Sequence, residues 1–451
     1  MKHLILSVSF CLLSILLLQA QQGNITKLSL KDCVRQAVEK NVNVKTAKID
    51  KEIGNAKKDE AKASLYPKIN LNTNFTDNVK LQSIMIDGSL VGAPGTEIPF
   101  TMGTKYSATE VLTISQTIYN QTAITALKLA KKANETYDLN VRKSKEEVGI
   151  QVAKMYALAL TTIEQQKLIE SNIDRSERLK KITQVTIEAG VGKQIDMDRV
   201  NVNLENMYMR LSNTKAAYEQ QTNTIKYLLE IPLDTPVELT DTVGTELLST
   251  QPILQNDFSS NVNIQLLESQ KQINSLNKKF IDAGYLPSLS LSGQAAYQGQ
   301  QSKFSTYFNN SSDNKWYSYA NFTVTLSIPV FDGFERRSKA RQAEMDYRKS
   351  ELTLNNTKES LSLDYRNALN TYNNNKTNVK RQKQNLSLAE KVYQETSLKY
   401  KEGMTTMTNL LQDETSLSEA QNGYLTALYN FKDSELKIMT LNGEIDNLIK
   451  N

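Results

Sequence analysis

Histidine and cysteine are nearly missing from this chain, and their scarcity excludes whole classes of chemistry. The one histidine is His3, and the two cysteines are Cys11 and Cys33. Residues 1–20 read as a secretory signal peptide. Met1 to His3 is a short basic start, Leu4 to Leu18 an apolar run, and Gln19-Ala20-Gln21 a cleavage site. Cleavage would remove His3 and Cys11 and leave Cys33 alone. A chain with no histidine and one cysteine builds no Ser-His-Asp or Cys-His centre, no histidine-ligated zinc site and no internal disulfide. No small-residue lipobox leads into either cysteine, so no lipid anchor is expected, and no cofactor. A carboxylate-pair hydrolase survives this composition, since acids are plentiful. Its acids would have to converge in a compact core, whereas those here lie along helix surfaces beside lysine.

Long apolar runs are missing as well. After the leader the longest is Met155-Tyr-Ala-Leu-Ala-Leu160, far short of the roughly 20 residues of a spanning helix. Entry into a membrane would therefore require a closed β-barrel, the other structure that satisfies its own backbone. Charge of one sign is also lacking. The net charge of +5, from 54 basic and 49 acidic residues, gives no reason to expect a nucleic-acid partner.

What is present is a repeat. Asn41-Val42-Asn43-Val44 recurs as Asn261-Val262-Asn263-Ile264, and Tyr66-Pro67-Lys68-Ile69-Asn70-Leu71 as Leu286-Pro287-Ser288-Leu289-Ser290-Leu291, both at an offset of 220. Ile114-Ser115-Gln116-Thr117-Ile118-Tyr119-Asn120 then matches Leu326-Ser327-Ile328-Pro329-Val330-Phe331-Asp332 at 212, and Gly190 matches Gly403 at 213. The drop places eight extra residues between the strands of the first copy, where an exposed loop tolerates them.

Within each copy the period switches between helix and strand. Ala320, Phe322, Val324, Leu326, Ile328 and Val330 alternate with Tyr319, Asn321, Thr323, Thr325 and Ser327. The expected strands span about 68–78, 106–119, 287–298 and 317–331, long enough to cross a bilayer at a tilt. Aromatics mark both ends, Tyr66, Tyr119, Tyr285 and Phe331 against Tyr297, Phe304, Tyr307, Phe308, Trp316 and Tyr317, like the double girdle of membrane barrels. Four strands cannot close, since small barrels need about eight. The chain must oligomerise, and arithmetic leaves dimer, trimer and tetramer open.

Glycine and proline are sparse beyond each strand pair. Residues 334–402 contain neither, and 122–189 only Gly149. Each stretch could run as a helix of roughly 100 Å. Seams at sevenfold spacing, Leu410, Leu417, Tyr424, Phe431, Ile438 and Ile445, then Met197, Leu204, Leu211, Tyr218 and Ile225, and Tyr365, Tyr372, Val379, Leu386, Tyr393 and Tyr400, imply left-handed packing against a neighbour. The expected organisation is a first repeat over 21–231 with a helical hairpin at 122–229 and its tip at 189–193. A linker or equatorial segment covers 232–260. The second repeat covers 261–451, its hairpin 334–445 and its tip 402–406.

Ser327-Ile-Pro-Val-Phe-Asp-Gly333, Tyr400-Lys-Glu-Gly403 followed by Asn409-Leu-Leu411, and Asn41, Pro67 and Pro287 resemble the TolC family of outer-membrane efflux proteins. The resemblance runs from Leu28 to about Ile445. It implies an α+β membrane protein in which long antiparallel helical hairpins form a periplasmic α-barrel. Four transmembrane strands per chain would contribute to a twelve-stranded barrel in a homotrimer set in outer-membrane lipid. It further implies a passive duct docked to a periplasmic adaptor (membrane fusion) protein and an inner-membrane pump. The docking tips would be Gly190, Val191 and Gly192 with Gly403 and Met404. The family narrows its pore just inside those tips. Asp196 matches a latch aspartate, Thr405 replaces the latch arginine, and Asn409 and Gln412 stand where the family has acids. Asp198, Asp413 and Glu414 lie close enough to restore negative charge, and Arg199 opposes it. The rival reading is a periplasmic coiled-coil adaptor or scaffold, which would carry one hairpin and Gly-rich β-domains instead of a duplicated hairpin with strand pairs.

Overall fold

The structure is a computed structural model and describes residues 26–92, 94–242, 258–308 and 314–444. The expected leader, residues 243–257 of the linker and Ile445 lie outside them. In chain order the elements are β1 (Thr26–Leu28), α1 (Leu30–Lys40), α2 (Val42–Ala63), β2 (Lys68–Asp77), β3 (Ser83–Asp87), β4 (Glu97–Thr101), β5 (Tyr106–Asn120) and α3 (Gln121–Glu188). There follow α4 (Gln194–Leu228), β6 (Val237–Leu239), α5 (Val262–Ala283), β7 (Ser288–Gln301), β8 (Trp316–Ser327), α6 (Glu335–Lys401) and α7 (Met407–Asn442). They form two compact units, Glu52–Glu135 with Ser269–Glu351, and the remainder.

The first unit holds a four-stranded antiparallel sheet in the order β2-β5-β7-β8. Its register sorts the side chains by chemistry. One cross-strand row is Ile69, Ile114, Gly293 and Phe322, and the next on the same face is Leu71, Leu112, Ala295 and Ala320. Between them on the opposite face runs Asn70, Thr113, Gln294 and Asn321. Gly293 lacks a side chain where the Phe322 ring crosses it, and an added Cβ would come within 2.7 Å of that ring. Phe75, Tyr106, Phe304 and Tyr307 cluster at the loop end, and Tyr297 stacks on Trp316 at 4.9 Å.

Two strand limits differ from the periodicity. β8 stops at Ser327 instead of continuing to residue 331, because Pro329 has no N–H to donate to a ladder. The chain then turns into α6 through Gly333 and Phe334, both at positive φ. β7 instead runs on to Gln301. The longer loop of the first copy contains the β3–β4 hairpin, with Ser83 opposite Thr101.

In the second unit the repeat's asparagines show their purpose. Asn41 is buried and donates from Nδ2 to the Leu228 carbonyl at 3.0 Å, while its Oδ1 accepts from Asn43 N at 2.9 Å. Asn261 does the same to Leu441 at 2.9 Å and from Asn263 N at 3.0 Å. One side chain thus satisfies an orphan carbonyl at the end of one helix and an orphan N–H at the start of another. The linker is not wholly irregular. β6 pairs in parallel with β1, Thr26 opposite Val237 through Leu28 opposite Leu239. Asp241 beyond it accepts from Leu30 N at 2.7 Å and from the Tyr156 hydroxyl at 2.8 Å. Cys33 is fully buried beside this joint. The heptad seams form the cores. Tyr365, Tyr372 and Val379 of α6 pack with Leu428, Phe431 and Ile438 of α7, and Leu204 of α4 packs with Ile173 of α3 and Leu410 of α7.

Candidate functional site

The expected docking tips are two helix–helix turns built on different glycine requirements. Gly190 stands at φ +77° and Gly403 at φ +71°, with open space around both, so conformation alone selects glycine there. Both turns close by backbone hydrogen bonds that reach back over the last helical turn, Val191 N to Thr186 O at 3.0 Å and Met404 N to Lys399 O at 2.8 Å. Gly192 differs, since a Cβ would lie 2.7 Å from Ile187 N. Val191 is 79% exposed and Met404 71%, so each tip displays an apolar side chain.

Of the expected constriction residues, the structure brings together two pairs. Asp196, in the first turn of α4, accepts from Arg199 Nη1 at 3.1 Å. Thr405 Oγ1 accepts from Asn409 Nδ2 at 3.1 Å, beside Thr406, whose hydroxyl caps α7 by accepting from Asn409 N. Gln412 is exposed on α7 and joins neither pair. Asp413 turns to α6, where its Oδ2 accepts from Thr396 Oγ1 at 2.6 Å. Asp196 also acts across the hairpins. Burial holds the Tyr400 phenol above its usual range, and the Asp196 charge adds to that.

Glu414 behaves differently from an acid of the pore surface. It is 2% exposed and accepts from Ser176 Oγ of α3 at 2.9 Å and from Asn203 Nδ2 of α4 at 3.0 Å. Burial pushes its carboxyl above the usual range, opposed by the Ser176 hydrogen bond and the Arg175 charge. Arg175 lies over the Tyr393 ring at 5.5 Å and donates to Asn172, whose Nδ2 donates to Gln421 Oε1 at 3.1 Å. A layer of polar side chains therefore joins the two hairpins just behind the tips. Its signal was in the spacing. Met407, Glu414, Gln421, Leu428, Glu435 and Asn442 recur every seven residues and are all buried, a second seam of α7 beside the apolar one.

Among the described residues no group of three or more His, Cys, Asp or Glu side chains is placed to hold a metal, and no helix is long and apolar enough to cross a membrane. The family description "outer membrane efflux protein" matches residues 33–229 and 262–444, one segment per copy of the repeat. The chain belongs to the outer membrane efflux protein family. It is an outer-membrane efflux channel that extends into the periplasm. Solved structures agree on the fold of this channel. CusC matches with a TM-score of 0.75 at 16% identity over 92% of both chains. VceC of Vibrio cholerae matches at 0.72 and 13% identity, over 92% of this chain and 96% of that one. The open-state MtrE channel of Neisseria gonorrhoeae matches at 0.70 and 16% identity, over 92% and 88%. No curated protein sequence matches the channel.

Proposed function

We propose that three copies of this chain close one twelve-stranded barrel and act as the passive, non-enzymatic exit duct of a tripartite pump, with a periplasmic adaptor and an inner-membrane pump as partners. One observation carries the reading. The sheet leaves β2 and β8 as open edges, and the side chains of both strands are exposed almost throughout, Phe322 to 82%. Unpaired edges and an uncovered apolar face are unstable in water, and both needs are met when β2 of one copy pairs with β8 of the next and the apolar face meets lipid. The polar row of Asn70, Thr113, Gln294 and Asn321 then lines the lumen. Asp196, Arg199, Thr405, Asn409, Gln412 and Asp413 would border the constriction, and Gly190 to Gly192 with Gly403 and Met404 would meet the adaptor. The energy for export would come from the pump, since no GxxxxGK[ST] loop is present.

Cysteine pairs scanned across Lys68–Asp77 and Trp316–Ser327 test the closure, because Cys33 is buried. Oxidation of outer-membrane extracts is expected to give a covalent trimer from at least one pair. A ladder that stops at a dimer or reaches a tetramer overturns the stoichiometry, and a product found wholly in the soluble periplasm overturns the duct.

A further inference from the structure

The four strands meet α2, α3, α5 and α6 at one end of the sheet, and charge concentrates there. Residues 57–68, 120–132, 278–288 and 327–341 hold thirteen basic and five acidic residues, a surplus of eight positive charges per chain. The described loop residues at the other end, 78–92, 94–105, 302–308 and 314–315, hold four basic and two acidic residues. The collar is apolar as well as basic. Val330 is 93% exposed, and Phe331, Phe334 and Leu286 are exposed beside it. Cations lie against its aromatics, Arg336 over Tyr285 at 5.8 Å and Lys62 over Tyr66 at 5.7 Å. Cations next to bare apolar side chains suit the headgroup layer of a membrane, which offers phosphate and hydrocarbon within a few ångströms.

Within the collar, α3 and α5 border a groove of about 380 Å³. Lys128 and Lys279 stand on its walls, Leu276, Ala283 and Leu286 supply apolar surface, and Asp282 is its single acid. The neighbouring Lys132 and Lys278 are committed to Glu135 and Glu344. Lys128 and Lys279 form no ion pair among the described residues, which leaves two ammonium groups facing one groove.

We propose that this groove binds the phosphate headgroup of an anionic phospholipid in the membrane leaflet on the helical side of the barrel. The proposal rests on the barrel reading above. The two lysines would hold the phosphodiester and the apolar wall the upper acyl chain, while the surrounding surplus of charge favours a lipid of net negative charge over a zwitterionic one.

Native mass spectrometry of the detergent-released oligomer, with phosphatidylglycerol or phosphatidylcholine added, tests it. Phosphatidylglycerol is expected to be retained preferentially. Lys128→Gln with Lys279→Gln should weaken that retention about thirtyfold, about fivefold for each charge removed near a membrane surface. Lys131→Gln, on the same helix but outside the groove, should weaken it less than loss of either groove lysine. Equal retention of the two lipids, a double variant that binds like wild type, or a Lys131 effect as large as that of either groove lysine each overturns the site. Displacement of phosphatidylglycerol by inorganic phosphate alone would make the ligand a free anion and overturn the lipid assignment. If the double variant does not assemble, Lys279→Gln alone, expected to lose about fivefold, decides. Failure of wild type to form an oligomer would instead count against the barrel, because lipid selectivity is read only on assembled protein.

Discussion

Glu414→Gln isolates the cost of the buried charge behind the tips. The wild-type carboxyl is shielded from solvent, accepts from Ser176 and Asn203, and is held above the usual carboxylate range by burial. Its folded value therefore exceeds its unfolded one. Between the two the folded state binds more protons than the unfolded state, so stability is greatest below the ordinary value and falls as pH rises through the window. Glutamine fills the same space with no ionisable group and removes that slope. At neutral pH its amide leaves one of the two donors without an acceptor, a loss of about 1–3 kcal/mol, which relief of the buried charge offsets. Glu414→Ala gains the same relief but keeps no acceptor at all. It strands both donors beside a cavity and should cost about 2–5 kcal/mol. The assay is urea unfolding of detergent-extracted protein, followed by far-UV circular dichroism at neutral and mildly acidic pH. The reasoning fails if the glutamine variant keeps the wild-type difference between the two pH values, or if alanine is tolerated without loss.

The repeated asparagines give a second test: Asn41→Ala and Asn261→Ala should each cost about 1–3 kcal/mol in the same unfolding assay, and a neutral result at either would show that its joint is redundant. Gly190→Ala and Gly403→Ala force an L-residue into the left-handed region and should each destabilise by about 1–2 kcal/mol, whereas Gly192→Ala should fail by collision with Ile187, a contrast that thermal melts would read. Asp196→Asn weakens the pair with Arg199 and is expected to change conductance of the reconstituted oligomer, and unchanged conductance and drug sensitivity would remove Asp196 from the gate. Cys33 is buried with its thiol pushed up to about 12, so a maleimide should label it only after denaturation; labelling of the native oligomer would show that the joint around β1 opens.

The fold was legible wherever a period was unbroken. Absence of glycine and proline delimited α3 and α6, strict alternation located β8, and equal offsets paired the copies. What stayed hidden had partners far away in sequence. Nothing near Val237 announces that it will pair with Thr26, and the β3–β4 hairpin, in which Ile84 and Ile86 face Phe100 and Ile98, alternates over only five residues in each strand. The two helical turns were legible, but the packing behind them was not. Glu414 read as a charge that could restore a pore ring, because its distance from Asn409 and Gln412 suggested a surface, while its sevenfold spacing with Met407 and Gln421 placed it inside.

That misplacement exposes how the copies divide their work. At the offset of 213 that matches the two tip glycines, Glu414 corresponds to Asn201, Gln421 to Tyr208 and Leu428 to Lys215. The last two are exposed in α4, while their counterparts in α7 are buried. α4 thus buries one face, from Val200 through Leu204 and Met207 to Ile225, whereas α7 buries a second, polar seam as well. Lys432 and Glu435 pair within that buried surface at 2.7 Å. Glu414 ties α7 to both helices of the first hairpin, accepting from Ser176 of α3 and Asn203 of α4, so any opening that separates the hairpins at this level must break these directional bonds. Glu414→Gln, which keeps only one of them, should therefore ease opening and raise conductance of the reconstituted oligomer. Unchanged conductance would show that the hairpins do not part at Glu414 when the duct opens.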